Sequence, residues 1–384
     1  MTLDSAVTLT DTVTSGGSVT HGRAAVLNAP GELVVSDVEF SDPGPGEVLV
    51  KLVASGLCHT DLGVIAGGIP FPSPGIIGHE GAGVVEKVGA GVTGLVAGDK
   101  VLLSFTSCGS CAACTSAHPA YCETWLPRNL IGLMRSDESG GVTRDGSPIA
   151  SHFFGQSSFG QYAIADERSA VKVDPEADLA VLAPLGCGVL TGFGSMWNVL
   201  DPQSNDIVAV YGAGAVGLSA IIAAALRKPA QLIAIDLVDD RLALATELGA
   251  TATINGKTEN VVERLSELTG GRGVALSFDT TGSPAVARQA LDAAAVRGTV
   301  LVCGAPPPGT EIPVDIQGIL TGKVLRGVTM GDTDPATLIP QLIALHADGK
   351  LPLEKLEKRY SLDEIGQAAD DMHRGVTVKP VILF

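Results

Sequence analysis

The stretch that most constrains this chain runs from Asp206 through Ile-Val-Ala-Val to Tyr211, then Gly212-Ala-Gly214-Ala-Val-Gly217, then small residues to Leu226. It reads as a buried strand, a glycine turn and a helix packed closely on the strand. A second strand follows and ends at Asp236, nineteen positions after Gly217. A lone Gly-x-Gly-x-x-Gly is weak, but in this strand-turn-helix context it marks a dinucleotide-binding unit. Gly212, Gly214 and Gly217 let the backbone turn tightly and approach a pyrophosphate at the helix N-terminus, and Asp236 can accept hydrogen bonds from ribose hydroxyls. A carboxylate there repels a 2′-phosphate, so NAD is favoured over NADP. The alternation continues through residues 275–279, 285–295 and 299–303, which implies a parallel, doubly wound sheet with right-handed crossovers.

The first part of the chain has a different texture. Residues 23–57 and 81–101 alternate short apolar strands with Pro/Gly turns, the pattern of a small barrel. Between them lie Gly56-Leu57-Cys58-His59-Thr60-Asp61 and Gly78-His79-Glu80-Gly81. A thiolate and an imidazole are two of the three ligands of a catalytic Cys2His zinc, which keeps its fourth position open; Cys187, in Leu185-Gly186-Cys187-Gly188, is the candidate third. An alcohol on such a zinc loses its proton near neutral pH, and hydride can then leave its carbon for a nicotinamide ring. Thr60 is placed to take that proton, Asp61 to orient the imidazole of His79, and Glu80 to sit behind the metal and ligate it transiently. Each has a plainer reading: Cys58 as a structural thiol, Glu80 as a solvated carboxylate, Thr60 as a helix cap. Co-occurrence of the motifs in one chain weighs toward metal chemistry.

Cys108-Gly-Ser-Cys111-Ala-Ala-Cys114, with Cys122 eight positions on, can close a tetrahedron around one structural zinc. An iron–sulfur cluster or unliganded buried thiols are the competing readings. Seven cysteines, four of them within fifteen positions, fit metal binding in a reducing compartment better than disulfides. His118, His152, His346 and His373 lack ligand spacing and read as surface or core residues, and Cys303 reads as core.

A chain of 384 residues supports two domains, and a net charge of −17 argues against nucleic acid and anionic membrane surfaces as partners. Two uncharged runs, 179–200 and 207–226, reach the length of a membrane span, but Pro184 and several glycines in the first and the glycine turn in the second make them interior segments. No basic n-region precedes an apolar core at the N-terminus, so the expected location is cytoplasmic. Residues 1–20 read as a flexible tail and 136–147 as a surface loop.

Together these pieces resemble the zinc-containing medium-chain alcohol dehydrogenases over residues 23–384. Within that family Phe153-Phe154-Gly155-Gln156-Ser157-Ser158-Phe159, Pro184-Leu185-Gly186-Cys187-Gly188 and Gly304-Ala305-Pro306-Pro307 look most like benzyl alcohol (aryl-alcohol) dehydrogenases. The resemblance implies that His59 and Lys379 contact the cofactor pyrophosphate, Arg241 the adenosine ribose region, and Phe105 the substrate channel. It also implies two zinc ions per subunit, one catalytic and one structural, and a homodimer joined through the edges of the dinucleotide-binding sheets. Where several relatives carry a relay histidine, this chain has Gly63, so the relay beyond Thr60 needs a ribose hydroxyl and water, or another base.

The expected architecture is therefore an α/β chain with a β-rich GroES-like barrel catalytic domain, residues 21–189 and 331–384, and a Rossmann domain, residues 190–330. The expected activity is NAD-dependent, reversible oxidation of primary aromatic or allylic alcohols to aldehydes. The alternatives are an aliphatic or terpene alcohol dehydrogenase, a thiol-dependent formaldehyde dehydrogenase and, more remotely, a non-catalytic NAD-binding structural protein.

Overall fold

The computed structural model describes residues 18–130, 140–304, 306–307 and 309–384. Most of the 1–20 tail and part of the 136–147 loop lie outside the described residues; the remainder of that loop forms the hairpin Val142–Arg144 and Ser147–Ile149. Among the described residues the chain forms three sheets.

Six parallel strands run in the order Ala252–Asn255, Gln231–Asp236, Ile207–Tyr211, Val274–Asp279, Ala294–Val302, Val324–Gly327. The first strand in sequence is central and the order reverses beside it, which is the doubly wound arrangement with its ligand crevice at the switch point. The central strand Ile207–Tyr211 is buried at every position because helices cover both faces, so its sequence is continuously apolar rather than alternating.

The other two sheets are largely antiparallel and form the barrel-like part. One places Gly75–Ile76, Thr20–Ala29, Glu32–Phe40 and the 142–149 hairpin side by side. The other runs Ala170–Lys172, Lys100–Leu103, Gly81–Val88, Glu47–Gly56, Lys379–Leu383, Glu357–Ser361, with Tyr162–Asp166 also on Glu47–Gly56. Pairing of Lys379–Leu383 with Glu47–Gly56 brings the last strand back to the first part of the chain.

The uncharged run at 179–200 is a helix broken at Cys187, with a bend of 57° between Leu179–Gly186 and Gly188–Leu200. No single helix among the described residues is long and apolar enough to cross a membrane. Most residues of this bent pair are buried in the protein core, as are those of the helix Ala215–Arg227. The sheet strand ends at Val302, one residue short of the expected bound, and Cys303 just beyond it is partly buried and packs against the core.

Candidate active site

Cys58 caps the short helix His59–Ile65, and the helix returns Asp61 toward it: the Cys58 backbone N–H donates to Asp61 Oδ2 at 2.8 Å. The other carboxylate oxygen lies 2.9 Å from His79 Nδ1, with both side chains fully buried. That bond fixes which imidazole nitrogen is free, and His79 Nε2 finds no hydrogen-bond partner among the described residues. An unpaired buried nitrogen is costly unless something else occupies it. One donor atom each from Cys58, His79, Glu80 and Cys187 lies within 4.8 Å of the others. Cys187 arrives from the helix break, where its non-helical backbone (φ −145°, ψ −74°) turns the chain.

A hydrogen bond from Cys187, aided by Lys379 and His79, holds the Cys58 thiol well below its usual range against the effect of burial. Cys187 is correspondingly held up by that same bond and by burial. Burial works to lower the His79 pKa, yet the adjacent Asp61 charge and hydrogen bond push it up to about 10. Metal binding to such donors requires the thiols as thiolates and the imidazole neutral, so it releases protons.

Glu80 makes a buried ion pair. Lys379 Nζ donates to both of its oxygens, at 2.8 and 2.9 Å, and to the Leu57 carbonyl at 3.2 Å. The Gly188 N–H adds a 2.9 Å bond to Glu80 Oε1. Burial raises the Glu80 pKa while Lys379 opposes it. Lys379 is 1% exposed, and its ammonium neutralises Glu80 within the donor cluster. Gly56 leaves the room for this, since a Cβ there would stand 1.9 Å from Glu80 Oε2.

An aromatic group covers the imidazole. Phe154 stacks on His79 with centroids 4.5 Å apart, Phe153 meets it edge-on at 5.5 Å, and Trp125 meets Phe154 edge-on at 5.5 Å. Phe154 takes a left-handed backbone (φ 52°), as do His152 and Ser157. Such geometry is unfavourable for bulky residues and persists only where neighbours impose it. Here Gln156 donates to the carbonyls of His79 and Ser104, Ser157 Oγ donates to the Ile76 carbonyl, and His152 pairs with Glu47 in the interior. The sequence showed the aromatic run, but its placement over His79 comes from these contacts, which carry no local pattern. Phe105 is buried in the same apolar cluster.

Thr60 Oγ1 lies 3.9 Å from Cys58 Sγ, and His59 is exposed beside it. At Gly63 a Cβ would stand 2.8 Å from Ile69 Cδ1, so Ile69 fills the space a side chain would need.

In the second sheet, Gly212 has φ +90°, and a Cβ on Gly217 would stand 1.7 Å from the Gly212 carbonyl oxygen, which is the close strand-helix approach expected. A Cβ on Gly214 meets nothing, so the backbone before the helix Ala215–Arg227 faces open space. Asp236 accepts from the backbone N–H groups of Ala213, Leu237 and Val238, which holds its carboxylate beside the turn. Arg241, on the following helix Asp239–Glu247, leaves its Nε without a partner among the described residues.

The four-cysteine loop closes on itself. Sulfurs of Cys108, Cys111, Cys114 and Cys122 all lie within 4.8 Å, with Cys108–Cys114 at 3.9 Å and Cys111–Cys114 at 3.5 Å. A Zn–S bond near 2.3 Å gives a tetrahedron whose sulfurs stand about 3.8 Å apart. The spacing therefore suits one ion and is too small for a multi-iron cluster. Backbone N–H groups of Ser110 and Cys111 hold the Cys108 thiol down at about 5.

Comparison with known proteins agrees with this geometry. An alcohol dehydrogenase GroES-like domain model matches residues 44–175 and a zinc-binding dehydrogenase model matches residues 215–347. The chain is 42% identical over 367 residues to a geraniol dehydrogenase of Castellaniella defragrans, covering 94% of this chain and 97% of that one. It is 35% identical over 384 residues to an S-(hydroxymethyl)glutathione dehydrogenase of Candida maltosa, covering 96% and 98%. The crystal structure of a benzyl alcohol dehydrogenase from Acinetobacter calcoaceticus superposes with a TM-score of 0.91 at 40% identity, covering 95% of this chain and 99% of that one. The chain belongs to the zinc-dependent medium-chain alcohol dehydrogenase family. It is an alcohol dehydrogenase of that family, with zinc and NAD as cofactors.

Proposed function

We propose that the substrates are primary alcohols whose hydroxyl-bearing carbon adjoins an sp2 carbon, of the benzyl alcohol type, oxidised reversibly to aldehydes. The observation that carries this reading is the aromatic group beside the donor cluster, in which Phe153 and Phe154 pack directly on His79 and Trp125 packs on Phe154. Geraniol and benzyl alcohol, for which two of the similar proteins are named, share that chemistry.

In this reading Cys58, His79 and Cys187 hold the catalytic zinc, and the Cys108, Cys111, Cys114 and Cys122 loop the structural one. When bound, zinc would supply Lewis acidity toward an alcohol oxygen and NAD would supply the hydride acceptor. The chain's own residues do the rest. Thr60 would accept a hydrogen bond from the alcohol hydroxyl and pass its own hydroxyl proton on to a ribose hydroxyl and water, so that the proton leaves for solvent, while Asp61 keeps the imidazole in one tautomer and the Lys379–Glu80 pair fixes the charge beside the donors. Phe153 and Phe154 exclude water from that side. The glycine turn and Asp236 seat the dinucleotide, with His59 and Arg241 on its anionic side. The catalytic unit comprises residues 21–189 and 331–384 and the dinucleotide-binding unit residues 190–330.

The test is the initial rate of NAD reduction with benzyl alcohol, geraniol, ethanol and S-(hydroxymethyl)glutathione, with a zinc-chelator control. Benzyl alcohol and geraniol are expected to exceed ethanol by about a hundredfold in kcat/KM, equivalent to about 2.7 kcal/mol of transition-state binding. Ethanol or the thiol adduct in the lead would overturn the substrate class and leave the zinc chemistry standing.

A further inference from the structure

The turn Met330–Asp332 has left-handed backbone at three consecutive residues, with φ 50° at Met330, 68° at Gly331 and 49° at Asp332. For non-glycine residues that conformation costs about 1–2 kcal/mol each, so surrounding contacts must impose it. The contacts hold the turn at three points. At its inner end Met330 is buried, with Sδ 3.9 Å from Cys187 Sγ and 3.8 Å from Thr191 Oγ1. In the middle, Gly331 lies against the helix Gly188–Gly194: a Cβ on it would stand 2.8 Å from the Leu190 carbonyl oxygen and 3.0 Å from Gly194 Cα. At the outer end the Asp332 carboxylate, 6% exposed, lies 2.6 Å from His118 Nδ1 and accepts from Arg326 Nη2 at 3.0 Å.

These two partners come from separate parts of the molecule. His118 lies between Cys114 and Cys122 in the four-cysteine loop, and Arg326 lies on the edge strand Val324–Gly327. A cavity of about 400 Å³ lined by His118, Arg326, Asp332, Thr333 and Thr337 opens beside the clamp, so close packing does not reinforce it on that side. The loop, the sheet edge and the segment touching Cys187 thus meet at one buried carboxylate.

We propose that Asp332 is a positioning residue that ties the four-cysteine loop to the Cys187 donor, acting through Met330. The loop then has a role beyond its own stability: its geometry is transmitted through His118 and Asp332 to the sulfur packed beside Met330. Cutting the clamp leaves a left-handed turn without its outer restraint, and Met330 and the start of the helix Gly188–Gly194 relax together. The proposal rests on the assignment of Cys187 to the catalytic metal.

The experiment loads Co²⁺ in place of the catalytic zinc and records the visible thiolate-to-cobalt and d–d bands, which report donor geometry independently of turnover. Asp332→Asn is expected to shift those bands and to lower kcat by about tenfold, the low end for groups that orient metal ligands, with KM for NAD unchanged. Asp332→Glu is expected to restore part of both. His118→Ala, at a residue whose side chain is 52% exposed, is expected to shift the bands in the same direction by less. Wild-type bands in folded Asp332→Asn, or in His118→Ala should the first variant fail to fold, would overturn the clamp alone. A wild-type protein with no thiolate-to-cobalt band would overturn the assignment of Cys187 and the clamp with it.

Discussion

The two oxygens of Asp61 join two members of the donor set: one lies 2.9 Å from His79 Nδ1 and the other accepts the Cys58 backbone N–H at 2.8 Å. One buried carboxylate therefore sets both the imidazole tautomer and the first turn that presents the thiolate. Asp61→Asn keeps the shape and removes the charge. Zinc affinity is expected to fall by about 10- to 100-fold, measured by competition with a chelator while far-ultraviolet dichroism stays unchanged. An unchanged affinity would reduce this bond to packing.

Asp236 is held by three backbone N–H groups beside the glycine turn, and Asn, with one acceptor oxygen, keeps the bonds on one side while removing the charge. Asp236→Asn is expected to narrow the preference for NAD over NADP by at least about tenfold, because the like-charge repulsion of the 2′-phosphate is lost. The check is the ratio of kcat/KM for the two cofactors in wild type and variant. A ratio that does not move would place the discrimination elsewhere.

Asp371 anchors the helix Ile365–His373 to the strand Glu357–Ser361. It accepts from Tyr360 Oη at 2.8 Å, Gln367 Nε2 at 2.8 Å, Arg374 Nη2 at 2.7 Å and Lys358 Nζ at 3.2 Å. The Tyr360 hydrogen bond leads in lowering its pKa from 3.8 to about 2. Its folded value lies below its unfolded value, so the stabilisation is present above the unfolded pKa and is lost as pH falls through the folded one. Denaturant unfolding of wild type and Asp371→Asn is expected to differ most above pH ~5 and to converge toward pH ~2. A gap independent of pH would mean the carboxylate charge contributes nothing.

The edge strand Val324–Gly327 and the preceding helix Ile316–Ile319 expose Ile316 (73%), Leu320 (77%) and Val324 (47%). An apolar sheet edge with no further strand paired to it among the described residues is a pairing surface, and we propose that it joins two copies of the chain in a homodimer. Leu320→Asp is expected to convert the dimer to monomer in sedimentation-velocity runs at micromolar concentration. A wild-type monomer, or a variant dimer, would refute that edge as the interface.

Much of this was legible in sequence wherever the chemistry is local. The glycine turn between two strands, the four cysteines within fifteen positions and the adjacent Cys58 and Asp61 all announce themselves through spacing. Lys379 did not: it pairs with Glu80 across 299 positions, and no periodicity or motif encodes such a partner. Phe154 was visible as part of an aromatic run, but its left-handed backbone is imposed by contacts rather than by residue type, and the stacking on His79 follows from it. Met330 and Asp332 carried no signal for the same reason.

By itself the sequence determined that the chain would build a doubly wound dinucleotide-binding sheet and a β-rich partner, with two sets of metal donors. Those properties follow from hydrophobic period, turn chemistry and ligand type, which are written residue by residue. Only the tertiary structure decided which buried charges neutralise one another, which ring covers the imidazole, and which turn bears on Cys187. Those are matters of desolvation and close packing between segments remote in sequence, and they exist only once the chain has closed on itself.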